Sequence, residues 1–280
     1  MLKRLRTIRL SPTVSFLSQT RYLCRLIVFA GIAGFLFLPA SASAQDLFEI
    51  QVYPYGTVEP HHTMVEFHMN YFPSGTKTTE NGEFRNNHQF HFTVEVTHGL
   101  TKHFELAGYL VTAIVPDVGP KFAGARIRPR FSLPEEWHLP FKVSISTEIG
   151  FNKHQFDANT ITLEIRPILE KEIGKWYLSL NPDFSKSFRG VDSRRGFEFE
   201  PGVKVSYAVT KKIEPGIEYY AATGPVTHFE TPHDQHHLIF PTLDVNAGPN
   251  WELNFGVGRG LTGTSEQWVV KWIVGYRFNF

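Results

Sequence analysis

The stretch Trp268-Val269-Val270-Lys271-Trp272-Ile273-Val274-Gly275-Tyr276-Arg277-Phe278-Asn279-Phe280 closes the sequence, and its reading decides the fold class. With the two-residue period of a β-strand, Trp268, Val270, Trp272, Val274, Tyr276, Phe278 and Phe280 share one face. The other face carries Val269, Lys271, Ile273, Gly275, Arg277 and Asn279. An unbroken row of large apolar side chains that ends on an aromatic suits a strand whose outer face meets lipid.

The opposite end of the chain points to the same compartment. Residues 1–25 hold Lys3, Arg4, Arg6, Arg9, Arg21 and Arg25 with no acid, and an apolar run from Leu26 to Pro39 leads into Ser41-Ala42-Ser43-Ala44. This is the pattern of a secretory signal over residues 1–44, cleaved after Ala44. The apolar run is too short for a retained helical anchor, which needs roughly 18 to 20 residues. Cys24, the only cysteine, precedes that run, so it cannot be a lipidation cysteine and the mature chain holds no thiol. Of 28 basic and 27 acidic residues the leader removes six basic ones, which leaves 22 against 27. A net charge of −5 offers no electrostatic footprint for nucleic acid. No later run is long enough for a transmembrane helix, so membrane residence requires a closed barrel. The 25 Phe, 10 Tyr and 5 Trp are enough to furnish aromatic girdles.

After the Pro60-His61-His62 break, twelve alternating segments follow over about 63–73, 86–98, 103–115, 121–133, 141–153, 160–172, 175–187, 196–209, 212–222, 236–247, 250–259 and 266–280. Tight connections (Gly99 to Lys102, Pro134 to Pro140, Ile173-Gly174, Thr210-Lys211, Gly248-Pro249) alternate with longer or more polar ones. Short periplasmic turns and longer outside loops have this parity, which places both termini in the periplasm. The fold expected is an all-β, transmembrane, antiparallel up-and-down β-barrel of 12 strands over residues 63–280. Residues 45–62, with the short alternation Leu47 to Tyr53, are expected as a periplasmic or lumen-inserted arm, because a thirteenth strand would break the even-number rule. A soluble β-sandwich would need the same faces inverted.

Apolar sets such as Val65, Phe67, Met69, Tyr71 and Trp251, Leu253, Phe255, Val257 are expected outward. The inward positions then collect Glu66, Glu95, Glu105, Glu148, Glu164, Glu170, Asp183, Glu198, Glu200, Glu214, Glu218, Asp244 and Glu252. Against these thirteen acids stand eight bases: Arg126, Arg128, Arg130, Lys142, Arg166, Lys204, Lys271 and Arg277. Pro129, Pro167, Pro182, Pro201, Pro215 and Pro241 fall on outward positions inside strands, where each deletes a ladder hydrogen bond. β-Bulges or bends are expected there.

Arg126, Arg128 and Arg130 form an inward arginine ladder. Two readings stand: a constriction that selects solutes, or a charge network with Glu105, Glu148 and other lumen acids that holds the barrel closed. Glu95, Glu164, Arg166, Lys271 and Arg277 complete the candidate selectivity set. His233, His236 and His237 could converge on a transition metal, but as a group they read better as a solvated loop entering a strand. No Ser/His/acid set for an outer-membrane hydrolase is found, and no cofactor, resident metal or enzymatic activity is expected. Gly256 to Gly263 lacks the strand-loop-helix context of a phosphate loop, so its glycines read as sites of close strand approach.

The terminal Phe280, preceded at alternating positions by Phe278 and Tyr276, resembles the C-terminal signal that the barrel-assembly machinery reads in bacterial outer-membrane proteins. Residues 63–280, with Gly256 to Gly263 ahead of Trp268 to Phe280, resemble a group of outer-membrane barrels associated with the phenol-degradation meta-pathway or described as transporter-like. That resemblance implies a barrel of this size passing small hydrophobic or aromatic molecules, and it carries over no functional residue. The expected function is a passive narrow channel or transporter for small solutes in the bacterial outer membrane, amid lipid and lipopolysaccharide, with a charged lumen setting selectivity. The alternative is a closed structural or binding barrel whose outside loops carry the function.

Overall fold

A computed structural model describes residues 46–78 and 82–279, so the expected leader, its cleavage after Ala44, and Phe280 lie outside the described residues. Alternation of apolar and polar residues gives twelve strands, of which β1 spans His62–Ser74, β2 Phe90–Thr101, β3 Phe104–Val115, β4 Gly119–Ser132, β5 Lys142–Asn152 and β6 Ile161–Ile173. β7 runs in two segments, Trp176–Asn181 and Phe184–Arg189, and β8 also in two, Glu198–Phe199 and Gly202–Tyr207. β9 spans Ile213–Ala222, β10 His236–Val245, β11 Trp251–Gly260 and β12 Trp268–Asn279. The two segments of β7 face β6 in one continuous register, Leu169↔Leu180 and Ile165↔Phe184, which makes them one interrupted strand. The segments of β8 likewise share a register with β7, Gly202↔Asn181 and Phe184↔Phe199.

Each strand pairs antiparallel with its sequence neighbours, and β1 pairs with β12 from His62↔Asn279 to Tyr71↔Val270. That last pairing closes the sheet into a 12-stranded barrel without a free edge. Its polarity is inverted relative to a soluble domain. Arg128, Lys271, Glu95 and Glu105 are fully buried, while Leu110, Ile114, Ile127 and Ile217 are each more than half exposed on the outside. A sheet with its charges inside and Leu, Ile and Phe outside is stable only when the outer face meets hydrocarbon.

The strand prolines are accommodated without the expected bulges. Register shifts occur at Tyr71/Ser74, which spans Pro73, and at Gly99/Thr101, Val111/Thr112 and Ile161/Thr162, none of them at Pro129, Pro167, Pro182, Pro201, Pro215 or Pro241. The ladder is skipped instead. Glu200 N donates to Asp183 O at 2.9 Å, so Asp183 directs its backbone groups at β8, and by alternation Pro182 directs its own at β6. Between Leu169↔Leu180 and Ile165↔Phe184 the register puts Pro182 opposite Pro167. Neither ring nitrogen carries a hydrogen, so both bonds of that rung are missing and the strand breaks without slipping. Pro201, in the gap of β8, still accepts from Ala221 N at 3.0 Å.

Glycines at inward positions make room for large lumen side chains. A Cβ on Gly258 would overlap the ring of Phe240, itself fully buried, and one on Gly256 would meet Lys271 Cε at 3.1 Å. Gly258→Val is therefore expected to destabilise the barrel by about 1–3 kcal/mol through overpacking. Urea titration followed by tryptophan fluorescence checks this, and an unchanged midpoint would contradict the packing at Phe240.

Candidate functional site: a charged lumen threaded by an N-terminal arm

Residues 46–60 carry Phe48, Ile50, Val52, Tyr53, Tyr55 and Val58, all buried although the segment belongs to no strand. An extended segment in a lumen cannot leave its peptide groups unbonded, and here side chains of the wall bond them. At the long-loop end, His91 and Asn70 reach Leu47 O at 3.2 and 3.0 Å, and Thr93 Oγ1 donates to Phe48 O at 3.3 Å. Lys271 Nζ donates to Ile50 O at 3.0 Å. At mid-length, Tyr53 N donates to Asn181 Oδ1 at 2.6 Å, and Ser179 Oγ and Asn181 Nδ2 donate to Tyr53 O at 2.9 and 3.2 Å. Farther on, Tyr55 N and Val58 N donate to the carboxylates of Glu170 and Glu105 at 2.7 and 2.6 Å. Arg130 donates to Pro54 O and Gly56 O at 3.1 and 2.7 Å. The arm then bridges Gly99, beside the β2–β3 turn, through Pro60.

The arginine ladder on β4 meets this arm directly. Arg126 pairs with Asp46, with Glu49 at 3.3 Å and with Glu148 at 3.2 Å. Arg128 pairs with Glu95 and with Glu105 at 2.9 Å, and Arg130 Nε lies 2.7 Å from Glu105. On β6, Arg166 bridges Glu164 at 2.8 Å and Asp183 at 3.0 Å. Three of these guanidiniums surround one ring: Arg166, Arg128 and Arg130 lie 4.5, 5.1 and 5.5 Å from the centroid of Tyr53. The Tyr53 hydroxyl donates to Glu49 and lies 3.0 Å from the Tyr109 hydroxyl. Lys271 pairs with Glu218 and sits over the rings of Phe240 and Tyr220. Arg277 differs from the rest of the candidate set, for it has no carboxylate within salt-bridge distance among the described residues and its Nε is buried without a partner.

A small cavity of about 30 Å³ opens beside the arm, lined by Gln51, Tyr53, Glu66, Arg128, Glu252 and Arg277 among others. The sequence pattern identified the wall charges but not Tyr53 as their common partner. Its only sequence signal was a Tyr within an apolar alternation ahead of the first strand. The histidine loop does not assemble a metal site: His233 is exposed beside Asp234, and His237 engages Tyr219 OH at 2.6 Å and Gln235 Oε1 at 3.0 Å.

The longer loops latch onto one another. Glu266 accepts from Thr76 N, Thr76 Oγ1 and Asn86 Nδ2 at 2.8, 2.7 and 3.1 Å, and Arg195 pairs with Glu230 at 2.6 Å and Glu198 at 3.2 Å. In the β5–β6 loop, burial pushes the Asp157 carboxyl up to about 7; the Glu83 carboxylate adds to the rise and the Asn159 amide opposes it.

The closed sheet, the lipid-suited exterior and the charged interior define the class of outer-membrane β-barrels. The chain belongs to the family described as "Putative MetA-pathway of phenol degradation", whose model matches residues 119–278, more than half of it. Among solved structures it is similar to an outer-membrane channel from Pseudomonas putida F1, with a TM-score of 0.58 and 13% identity over 82% of this chain and 100% of that one. It is also similar to the NanC porin, with a TM-score of 0.50 and 8% identity over 77% of this chain and 100% of that one. No curated protein sequence matches it significantly.

Two outcomes are expected. Arg128→Ala leaves the fully buried Glu95 without a guanidinium and is expected to cost about 3–5 kcal/mol, read from the urea midpoint. The folded pKa of Asp157 lies above its ordinary value of 3.8, so the fold favours the protonated form. The stability this adds is full below about pH 4 and is lost as pH rises through about 7. Protection factors in residues 153–160, referenced to the intrinsic exchange rate at each pH, should therefore be lower at pH 8 than at pH 5, and Asp157→Asn should flatten that difference.

Proposed function

We propose that the protein is a passive outer-membrane channel for small solutes, that the arm over residues 46–60 closes its lumen at rest, and that conduction follows displacement of the arm. The observation that carries this reading is the way the arm is held. Wall side chains bind it through hydrogen bonds and ion pairs, and among the described residues its covalent tie to the wall is the chain's continuation into β1. Such contacts contribute about 0.5–1.5 kcal/mol each when neutral and about 1.5–3 kcal/mol when one partner is charged, as at Glu170, Arg130 and Lys271, because water competes for the same groups once the arm moves. The names of the two similar structures, a channel and a porin, support the same class. The family's description points to aromatic compounds as the solute class, and the arginines and tyrosines around Tyr53 could hold an aromatic carboxylate in transit.

In this reading residues 1–44 export the chain, the short turns face the periplasm, and the assembly machinery receives the C-terminal strand. The outer face of β11, where Arg259 stands 5.0 Å over the Trp268 ring, meets the phosphates of outer-leaflet lipopolysaccharide. Ion selectivity would come from the lumen charges once the arm has moved, and the thirteen acids against eight bases favour cations. The second reading, a closed barrel that works through its loops, is favoured by the loop latches at Glu266 and Arg195.

Single-channel recording separates the two. Wild type should show rare openings, and Tyr53→Ala should raise the open probability at least tenfold, with a reversal potential in a KCl gradient that marks cation preference. Silence from both proteins, each shown to be folded by heat-modifiable gel mobility, would sink the channel and leave the closed barrel.

A further inference from the structure

We propose that the lumen wall carries a binding site for one divalent transition-metal ion, formed by Glu66 and His68 of β1 and Glu95 of β2. The sequence presents Glu66 and His68 two residues apart on a strand, so both point inward. The β1–β2 register sets Glu66 directly opposite Glu95. Each of the three residues offers a ligand atom within 4.8 Å of the other two, and all three are buried. Within the set, His68 Nε2 lies 3.2 Å from Glu95 Oε2, close to the separation of neighbouring ligands around a four-coordinate ion with bonds of about 2.0–2.2 Å.

Two independent observations indicate that these groups await a cation. Glu66 is 93% buried, with only 7% of its surface exposed, and faces another carboxylate, yet has no ion-pair or hydrogen-bond partner among the described residues. Its row-mates on the far side, Gly275 of β12 and Glu252 of β11, supply no positive charge. Burying a carboxylate uncompensated is costly; Arg128 serves Glu95 and Glu105, Arg130 serves Glu105, and Arg277, which lines the same cavity, lies outside salt-bridge distance of Glu66. The second observation is His68, 1% exposed, whose Nδ1 is buried without a partner. With its one proton on Nδ1, the neutral ring turns the Nε2 lone pair toward Glu95, and a bound ion takes the place of the Nε2···Oε2 contact.

The donor set decides the class of ion. Two carboxylate oxygens with one imidazole nitrogen suit zinc, manganese, iron or cobalt better than magnesium or calcium, which prefer all-oxygen shells. Space is provided on the wall itself. A Cβ on Gly275 would meet Glu66 Cγ at 2.8 Å and Met64 Cε at 2.5 Å, so glycine there lets the carboxylate swing over β12. Glu66 also lines the cavity beside the arm, which gives the ion an open coordination position towards solvent. Arg128 stays on Glu95 Oε1 while Oε2 turns to the site, so the ion need not displace the guanidinium.

The test is equilibrium dialysis of the full folded chain in detergent against zinc chloride and cobalt chloride, with bound metal measured by mass spectrometry. One equivalent of zinc is expected in wild type, with affinity reduced at least tenfold by Glu66→Gln and by His68→Asn. Cobalt should give visible d–d absorption that both substitutions abolish. Glu66→Gln preserves shape, so gel heat-modifiability confirms that its barrel is intact. Wild type that binds no stoichiometric metal would overturn the proposal. So would binding that survives both lumen substitutions but disappears with His233→Ala, His236→Ala and His237→Ala combined.

Discussion

Hydrocarbon offers no hydrogen bonds, so a chain that presents an apolar sheet to lipid must pair every strand with another. The rung His62↔Asn279 and its successors along β1 and β12 meet that demand, and the rest of the molecule follows from the closure. Closing twelve strands creates an interior too wide for the wall's own aliphatic side chains to fill and too narrow for a broad water column. The inward positions must therefore hold polar groups, and the polar groups must find partners across a lumen of limited dielectric.

That second demand explains why the arm lies where it does. Lumen charges on adjacent strands, such as Arg128 with Glu105, can satisfy one another locally. Arg130 and Arg166 also pair with wall acids, and their free faces, with that of Arg128, meet the arm. Tyr53 is where they meet it, with three guanidiniums near its ring and its peptide group fixed by Ser179 and Asn181 of β7. The arm brings acids as well as dipoles: Asp46 and Glu49 both reach Arg126. Wall and arm thus form one electrostatic unit, and displacement of the arm exposes those cations to whatever solute enters. A closing element held by charge is also a means of making the open lumen selective, because the same groups are vacated in the act of opening.

Much of this was legible in the chain. Period-two patterning in β12 and in β1 gave the faces, because a strand's alternation is local and survives without tertiary context. The alternation of short and long connections gave the strand number. Three features were not local. Leu47 to Tyr53 alternates like a strand, but its partners are side chains from β2, β7 and β12, which no periodicity records. The prolines were expected to force bulges or bends, and Pro167 and Pro182 instead fall opposite one another and share a single missing rung with no slip in register. Two separate insertions are replaced by one gap, a result that depends on register between strands and not on either strand alone.

The same dependence on register governs the lumen acids. Glu66 and Glu95 are unremarkable as inward glutamates on separate strands, and their meaning changes when the β1–β2 register places them face to face. Of the pair, only Glu95 receives a guanidinium, since Arg128 approaches from β4 across β3 and its reach ends there. Farther round the wall, the position opposite Glu66 on β12 is Gly275, which brings no side chain against it, and Arg277, two residues on, stays outside salt-bridge distance. An outward-facing acid would simply be solvated or excluded, whereas an inward one must be neutralised by the protein, a proton or an ion. The excess of acids over bases in this lumen is therefore a structural quantity. It sets how much positive charge the interior draws from outside the chain, and the wall at Glu66, His68 and Glu95 is where that demand is concentrated beside a coordinating nitrogen.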